Sequence, residues 1–232
     1  MVAESAIVIP ASATVVLDLN GKTISQENAQ TATYAMIENK GTLTIKDSVG
    51  GGKVSYADTT VYTADVNYAS NTIRNDGTLT IESGIIENIS SDNVMTYGYP
   101  HAIDVYPGSV TNIKGGTVKS VNYDCIRMFC NSTTVATTVN ISGGNIINRV
   151  SFQNPSSNQA GYGRLNITGG TFTSTVDKAN VRLLNFSTDV SNMKAEITGG
   201  TFDKGVSTSN YSSWTANWDW LTIGEGVTIN KL

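Results

Sequence analysis

Gly41-Thr42-Leu43-Thr44-Ile45 returns as Gly77-Thr78-Leu79-Thr80-Ile81, the same five residues one period later. Looser copies follow: Asn112-Ile113-Lys114-Gly115-Gly116-Thr117-Val118, then Val139-Asn140-Ile141-Ser142-Gly143-Gly144. Leu165-Asn166-Ile167-Thr168-Gly169-Gly170-Thr171-Phe172 and Ala195-Glu196-Ile197-Thr198-Gly199-Gly200-Thr201-Phe202 come next, and Leu221-Thr222-Ile223-Gly224 is a truncated last copy. Each copy reads as a short strand, a glycine turn and a second short strand. Repetition at this period describes stacked coils, each covering its neighbour's open face, rather than a globule around one centre.

Working outward, Ile45, Ile81, Ile113, Ile141, Ile167, Ile197 and Ile223 hold one equivalent position, at spacings of 36, 32, 28, 26, 30 and 26 residues. The scatter implies a common coil with corner loops of unequal length. A second strand family precedes the phrase: Ala35-Met36-Ile37-Glu38-Asn39, Asn71-Thr72-Ile73-Arg74-Asn75, His101-Ala102-Ile103-Asp104-Val105, Cys125-Ile126-Arg127-Met128 and Arg182-Leu183-Leu184-Asn185. A third follows the glycines, from Lys53-Val54 and Ile85-Ile86 to Thr171-Phe172 and Thr201-Phe202.

Three strands per coil predict an all-β, right-handed, single-stranded parallel β-helix (a β-solenoid) of about seven coils and three faces. The whole of 1–232 reads as one such domain, with 1–24 as an N-terminal strand or cap and 205–232 as a C-terminal coil and cap. Capping matters because an open coil edge is a template for further pairing.

The same alignment places Glu38, Arg74, Asp104 and Arg127 at one outward position on successive coils. The expectation is an exposed ladder of alternating charge, each link contributing at most about 1 kcal/mol and serving mainly to fix register. Asn39, Asn75 and Asn185 are expected to share a strand-end position, where stacked amides would bond neighbouring coils.

Composition bounds the function. Charged residues make up 15% of the chain, which suits a sheet surface coated with Thr, Ser and Asn. A net charge of -4 without a Lys/Arg cluster argues against nucleic acid as a partner. No apolar run approaches the length that would insert into a membrane. Cys125 and Cys130 flank a strand too extended to bridge them, so two free thiols are expected, at least one of them packed inside.

Aromatic residues mark the candidate partner or glycan surface. Tyr56, Tyr62, Tyr68, Tyr97, Tyr99 and Tyr106 fall mainly in the longer early loops, while Tyr211, Trp214, Trp218 and Trp220 crowd the stretch before the last copy. The first group reads as an exposed patch; the second reads as a cap over the final coil or a patch for a subunit or sugar.

Chemistry is harder to find. A glycosidase needs two carboxylates facing one groove. Asp104 and Asp124 sit on or near adjacent coils, but arginines flanking Asp104 would suit it poorly to general-acid work. His101, the single histidine, reads as a loop or cap residue. The cysteines and this histidine supply too few ligands for zinc, and no calcium motif or cofactor loop is visible.

Val16-Leu17-Asp18-Leu19-Asn20-Gly21-Lys22-Thr23-Ile24 followed by the Gly-Thr-Leu-Thr-Ile coils resembles the pectate-lyase-like, right-handed β-helix superfamily over nearly the whole chain. Hydrolases and lyases of that superfamily carry catalytic Asp, His, Arg and calcium-binding elements. None of the hydrolase set is present here, and Arg127 is the one residue that could stand in the lyase set.

The resemblance therefore implies a non-catalytic structural protein, most like phage capsid-decoration, head-fibre or tail modules. Its partners would be other virion or surface proteins, with a host or bacterial glycan as a further one and no cofactor. Homo-oligomers, trimers foremost, follow from resemblance to tail and fibre β-helices. Met1-Val2-Ala3-Glu4-Ser5 lacks the basic-then-apolar pattern of a secretory leader, so either a leader has been removed or the protein reaches its destination without secretion, the second fitting a virion assembled in a cytoplasm. A bacterial surface adhesin or glycan-binding module, and a polysaccharide lyase or hydrolase, are the alternatives.

Overall fold

The computed structural model describes residues 3, 5–27, 35–57, 71–90, 100–155, 159–187, 189–207 and 221–227. These residues form a right-handed parallel β-solenoid in which every strand pairs with the strand one coil away. The first sheet carries the repeated phrase. It contains β2 (Thr14–Asp18), β5 (Thr42–Lys46), β8 (Thr78–Ile81), β11 (Val110–Ile113) and β13 (Thr137–Ile141). The first halves of β15 (Gly163–Thr173) and β17 (Met193–Phe202), and then β19 (Leu221–Ile223), continue it.

The second sheet follows the glycine corner. It holds β3 (Thr23–Glu27), β6 (Lys53–Ala57), β9 (Ile85–Asn88), the starts of β12 (Thr117–Phe129) and β14 (Asn145–Asn154), and the ends of β15 and β17. The third holds β1 (Ile7–Ile9), β4 (Ala35–Asn39), β7 (Asn71–Asn75), β10 (Ile103–Val105), the ends of β12 and β14, β16 (Val181–Asn185) and β18 (Val206–Ser207).

Because side chains alternate along a strand, parallel pairing piles like on like. Ile45, Ile81, Ile113, Ile141, Ile167, Ile197 and Ile223 are directly paired in that order, and Leu17 begins the column. Ile37, Ile73, Ile103, Ile126, Val150 and Val181 form a second column, and Val54, Ile86, Val118, Ile146 and Phe172 a third. The three meet as one continuous buried core. Each such side chain contributes about 1.5–3 kcal/mol by leaving water.

The two glycines of the corner are required for different reasons. A Cβ on Gly143 would lie 2.5 Å from the Lys114 carbonyl oxygen of the coil beneath, so no larger residue fits between coils there. Gly144 has φ 86°, in the left-handed region where a side chain is strained. Asn148 takes φ 78° at the next corner of the same coil and is fully buried. Its amide donates to the Ser120 carbonyl, and its oxygen accepts from Thr175 N–H and Oγ1.

Several expectations change in the structure. Residues 7–27, within and just beyond the stretch read as a strand or cap, supply one strand to each sheet and so form a coil of their own. Asn39 and Asn75 do stack, Nδ2 to Oδ1 at 2.7 Å. Asn185, however, pairs with Asn154, and Val105, Met128, Phe152 and Leu183 continue the column above Asn75. The error is a two-residue offset that the similar Leu-Leu-Asn ending conceals. Tyr56 lies inside β6 with 2% exposure, stacked between Gln26 and Asn88, and is not on an exposed loop. The tryptophans expected to cap the far end lie outside the described residues.

Gly143→Ala should cost about 2 kcal/mol and lower the thermal midpoint by several degrees. Ser142→Ala, one residue away, should leave the midpoint nearly unchanged. Equal melting of the two variants, read by circular dichroism, would contradict the close-approach requirement.

Candidate functional site

The outward column of the third sheet carries the chain's densest polar chemistry. Glu38, Arg74, Asp104 and Arg127 are directly paired on successive coils, as their spacing implies, and Ser151, Arg182 and Ser207 continue the column. It is not an exposed ladder. Asp104 is fully buried, with Arg127 and Asn71 bonded to its oxygens.

Each member has specific partners. Asp104 Oδ1 accepts from Arg127 Nε at 2.7 Å, and Oδ2 accepts from Arg127 Nη2 and from Asn71 Nδ2 at 3.1 Å. Arg74 turns along its own strand instead, donating to both oxygens of Asp76 at 2.7 and 3.0 Å. Its guanidinium also sits 4.0 Å from the centroid of the Tyr106 ring. Glu38 meets Lys40 at 3.4 Å. The alternation therefore sets which charges are neighbours, while local geometry sets which ones bond.

One corner away, Asp124 is 2% exposed and takes Arg149 Nε on Oδ1. Its Oδ2 accepts from Arg182 Nη2 at 3.2 Å and lies 3.4 Å from Gln153 Nε2. A register irregularity in β12 between Lys119 and Ile126 brings Asp124 opposite Arg149. That irregularity is invisible in a repeat read from isoleucine spacing.

His101 is neither a loop nor a cap residue. It is fully buried, its backbone N–H donates to Asn71 Oδ1 at 3.0 Å, and its Nδ1 lies 3.0 Å from the Asp124 carbonyl. A carbonyl only accepts, so Nδ1 carries the proton, while Nε2 has no hydrogen-bond partner among the described residues. Burial first, and the nearby Arg127 charge second, push the imidazole below its usual pKa of 6.5.

The remaining reactive groups are placed unfavourably for chemistry. Cys125 and Cys130 are free and both fully buried, and burial pushes both thiols far up, away from the reactive thiolate. Among the described residues no group of three His, Cys, Asp or Glu side chains converges as metal ligands would.

Two polar ladders escaped the sequence reading. Burial alone would raise the Glu87 carboxyl, but hydrogen bonds from Lys119 and Ser55 and the charges of Lys119 and Lys53 hold it below the usual range. On the first sheet, Asn166 donates to Asn140 at 2.7 Å and Asn140 to Asn112 at 2.9 Å. The signal for both was the column alignment already in hand, applied to outward rather than inward residues.

Of the expected aromatic surface, Tyr106 is half-buried beneath Arg74, its ring 6.0 Å from Phe129. Burial and the Asp104 charge raise its phenol. Tyr62, Tyr68, Tyr97, Tyr99, Tyr211, Trp214, Trp218 and Trp220 lie outside the described residues. The coil geometry is consistent with pectate-lyase-like β-helices. No family model, curated protein or solved structure matches the chain.

Asp104→Asn leaves Arg127 without its buried counter-charge and should destabilise by about 3 kcal/mol. Removing both charges, as Asp104→Asn with Arg127→Met, should recover most of that loss in denaturant unfolding. His101 gives a pH signature. Its folded pKa lies below the unfolded value, so its contribution is complete above about pH 6.5 and fades as pH falls toward the folded pKa. His101→Gln should flatten that acid-side slope, and an unchanged slope would remove His101 as its source.

Proposed function

We propose that this chain is a non-catalytic structural protein of a virus particle, a capsid-decoration, head-fibre or tail component of a phage. One observation carries the reading. Asp104 and Asp124, the two carboxylates that the sequence offers as a candidate acid pair, have their oxygens occupied by arginine, asparagine and glutamine N–H groups. A carboxylate so engaged serves as a fastener between coils, because its lone pairs are committed before any substrate arrives.

The rest of the surface supports the same role. The first sheet presents Thr42 and Thr44, Thr78 and Thr80, and the amide ladder of Asn112, Asn140 and Asn166 as a regular polar face. Such a face resists aggregation and can lie flat against a shell or fibre protein. Among the described residues no helix is long and apolar enough to cross a membrane.

Quantitative mass spectrometry of purified particles, set against secreted and cell-wall fractions, should find the chain enriched in the particles. Enrichment in a wall fraction would transfer the assignment to a surface adhesin. Incubating the purified chain with polyuronides and bacterial polysaccharides should release no new reducing ends or unsaturated products. Sustained release abolished by Arg127→Lys would overturn the non-catalytic reading.

A further inference from the structure

Two outward polar columns of the solenoid turn apolar at the first coil. Val8 heads the column that continues as Glu38, Arg74, Asp104 and Arg127, and it is 48% exposed. Val16 heads the column that continues as Thr44, Thr80, Asn112, Asn140 and Asn166, and it is 61% exposed. On every later coil described, both positions are polar or charged. Exposed apolar residues gathered on one end of a polar surface mark a contact.

The core opens at the same level. Ile37, Leu43 and Ile45 are buried, whereas Ile7, Val15 and Leu17, paired with them from the first coil, are only partly buried. β1 pairs with β4 and β2 with β5, and no described strand lies along the other edge of either. The Lys40 N–H donates to the Ile9 carbonyl and the Thr42 N–H to the Ala13 carbonyl, both at 2.9 Å. Backbone groups alternate sides along a strand, so those of Val8, Thr14, Val16 and Asp18 point to the open edge.

The third face differs. The Ala3 N–H donates to the Ser25 carbonyl at 2.7 Å, so the chain enters beneath β3. The end is therefore a helical step: an entering segment under β3, then β1, then β2.

We propose that this step is the interface of a head-to-head dimer, two copies of the chain related by a two-fold axis through Val8. The axis lays β1 antiparallel on its counterpart, with Val8 facing Val8 in a hydrogen-bonded pair. Each β2 then lies over the entering segment of the other copy. All three contacts close at one strand spacing, about 4.8 Å, because a helical step turned over about its middle strand matches itself. An axis through β2 fails, since it drives each entering segment into the place of the other copy's β1. A lone strand from another protein would cover one face, whereas a second step covers β1 and β2 together.

An isologous contact of this kind closes at two copies. It covers the open core layer and removes the exposed edges that would otherwise template further pairing. Charge permits it. Glu38 and its counterpart stay three strand spacings apart, roughly 14 Å, beyond the screening length of about 8 Å. The inference does not rest on the proposed particle role.

Sedimentation equilibrium of the whole chain over a dilution series should show monomer and dimer exchanging. Val8→Lys extends the alternating column beside Glu38, so the coil keeps its fold, but it sets like charges face to face. It should weaken dimerisation by roughly 30-fold with an unchanged circular dichroism spectrum. Val8→Cys should form an intermolecular disulfide on mild oxidation, because the facing Cα atoms lie about 5.5 Å apart. Val16→Cys should not, since the axis sends the two Val16 side chains to opposite sides of the dimer.

A monomer at every concentration overturns the interface, as do Val8→Lys dimerising like the parent, an assembly of three or more copies without a Val8→Cys link, and linking through Val16→Cys instead. Should Val8→Lys fail to fold, the two cysteine variants and the sedimentation of the unaltered chain still decide it.

Discussion

Each coil has to lie in register with the coil beneath it, and everything else in this protein follows from that constraint. The side-chain period of a strand is two, so a slip of one residue would turn the columns of isoleucine outward and bring threonine and asparagine into the core. Parallel stacking makes the penalty collective, since a slip displaces a whole column rather than one pair. The glycine corner enforces the same register sterically. The Lys114 carbonyl reaches into the space beside Gly143, and the coils mesh there in a single vertical alignment.

Polar side chains extend the constraint to the outside. Asn39 with Asn75, the Asn112, Asn140 and Asn166 series, and the Arg127–Asp104 fork all link residues that pair across coils. A buried ion pair is weak evidence for net stability, because desolvation offsets much of the attraction. Its effect here is discriminating. A shifted coil would leave Asp104 or Arg127 buried without its counter-charge, so the pair disfavours wrong registers more than it favours the right one.

The fold was legible because the repeat is written in residues whose role does not depend on neighbours. An isoleucine column and a corner glycine mean the same thing in every coil, and the strand families aligned on them pair as aligned except at Arg182–Asn185. What could not be read was local. The outward charges were found in their correct order, but their burial depended on how far Arg127 leans over Asp104, which spacing does not encode. His101 looked like a loop residue because the segment before it is irregular in sequence, yet the Asp124 carbonyl and the Asn71 amide hold it inside. Asp124 was seen as a carboxylate near Asp104, while the β12 irregularity that delivers it to Arg149 has no counterpart in the repeat. Asn185 was misplaced because Val181 and Leu183, two residues apart, both face inward and offer two registers, and only the backbone chooses between them.

Solenoids ordinarily couple each coil only to its immediate neighbours, so they melt by fraying from whichever end is looser. Arg182 breaks that rule. Its Nη2 reaches Asp124, 58 residues earlier, past the coil that contributes Arg149. The strap ties three successive coils into one cooperative block, and unravelling that starts at the C-terminal end meets there a segment that must open all at once.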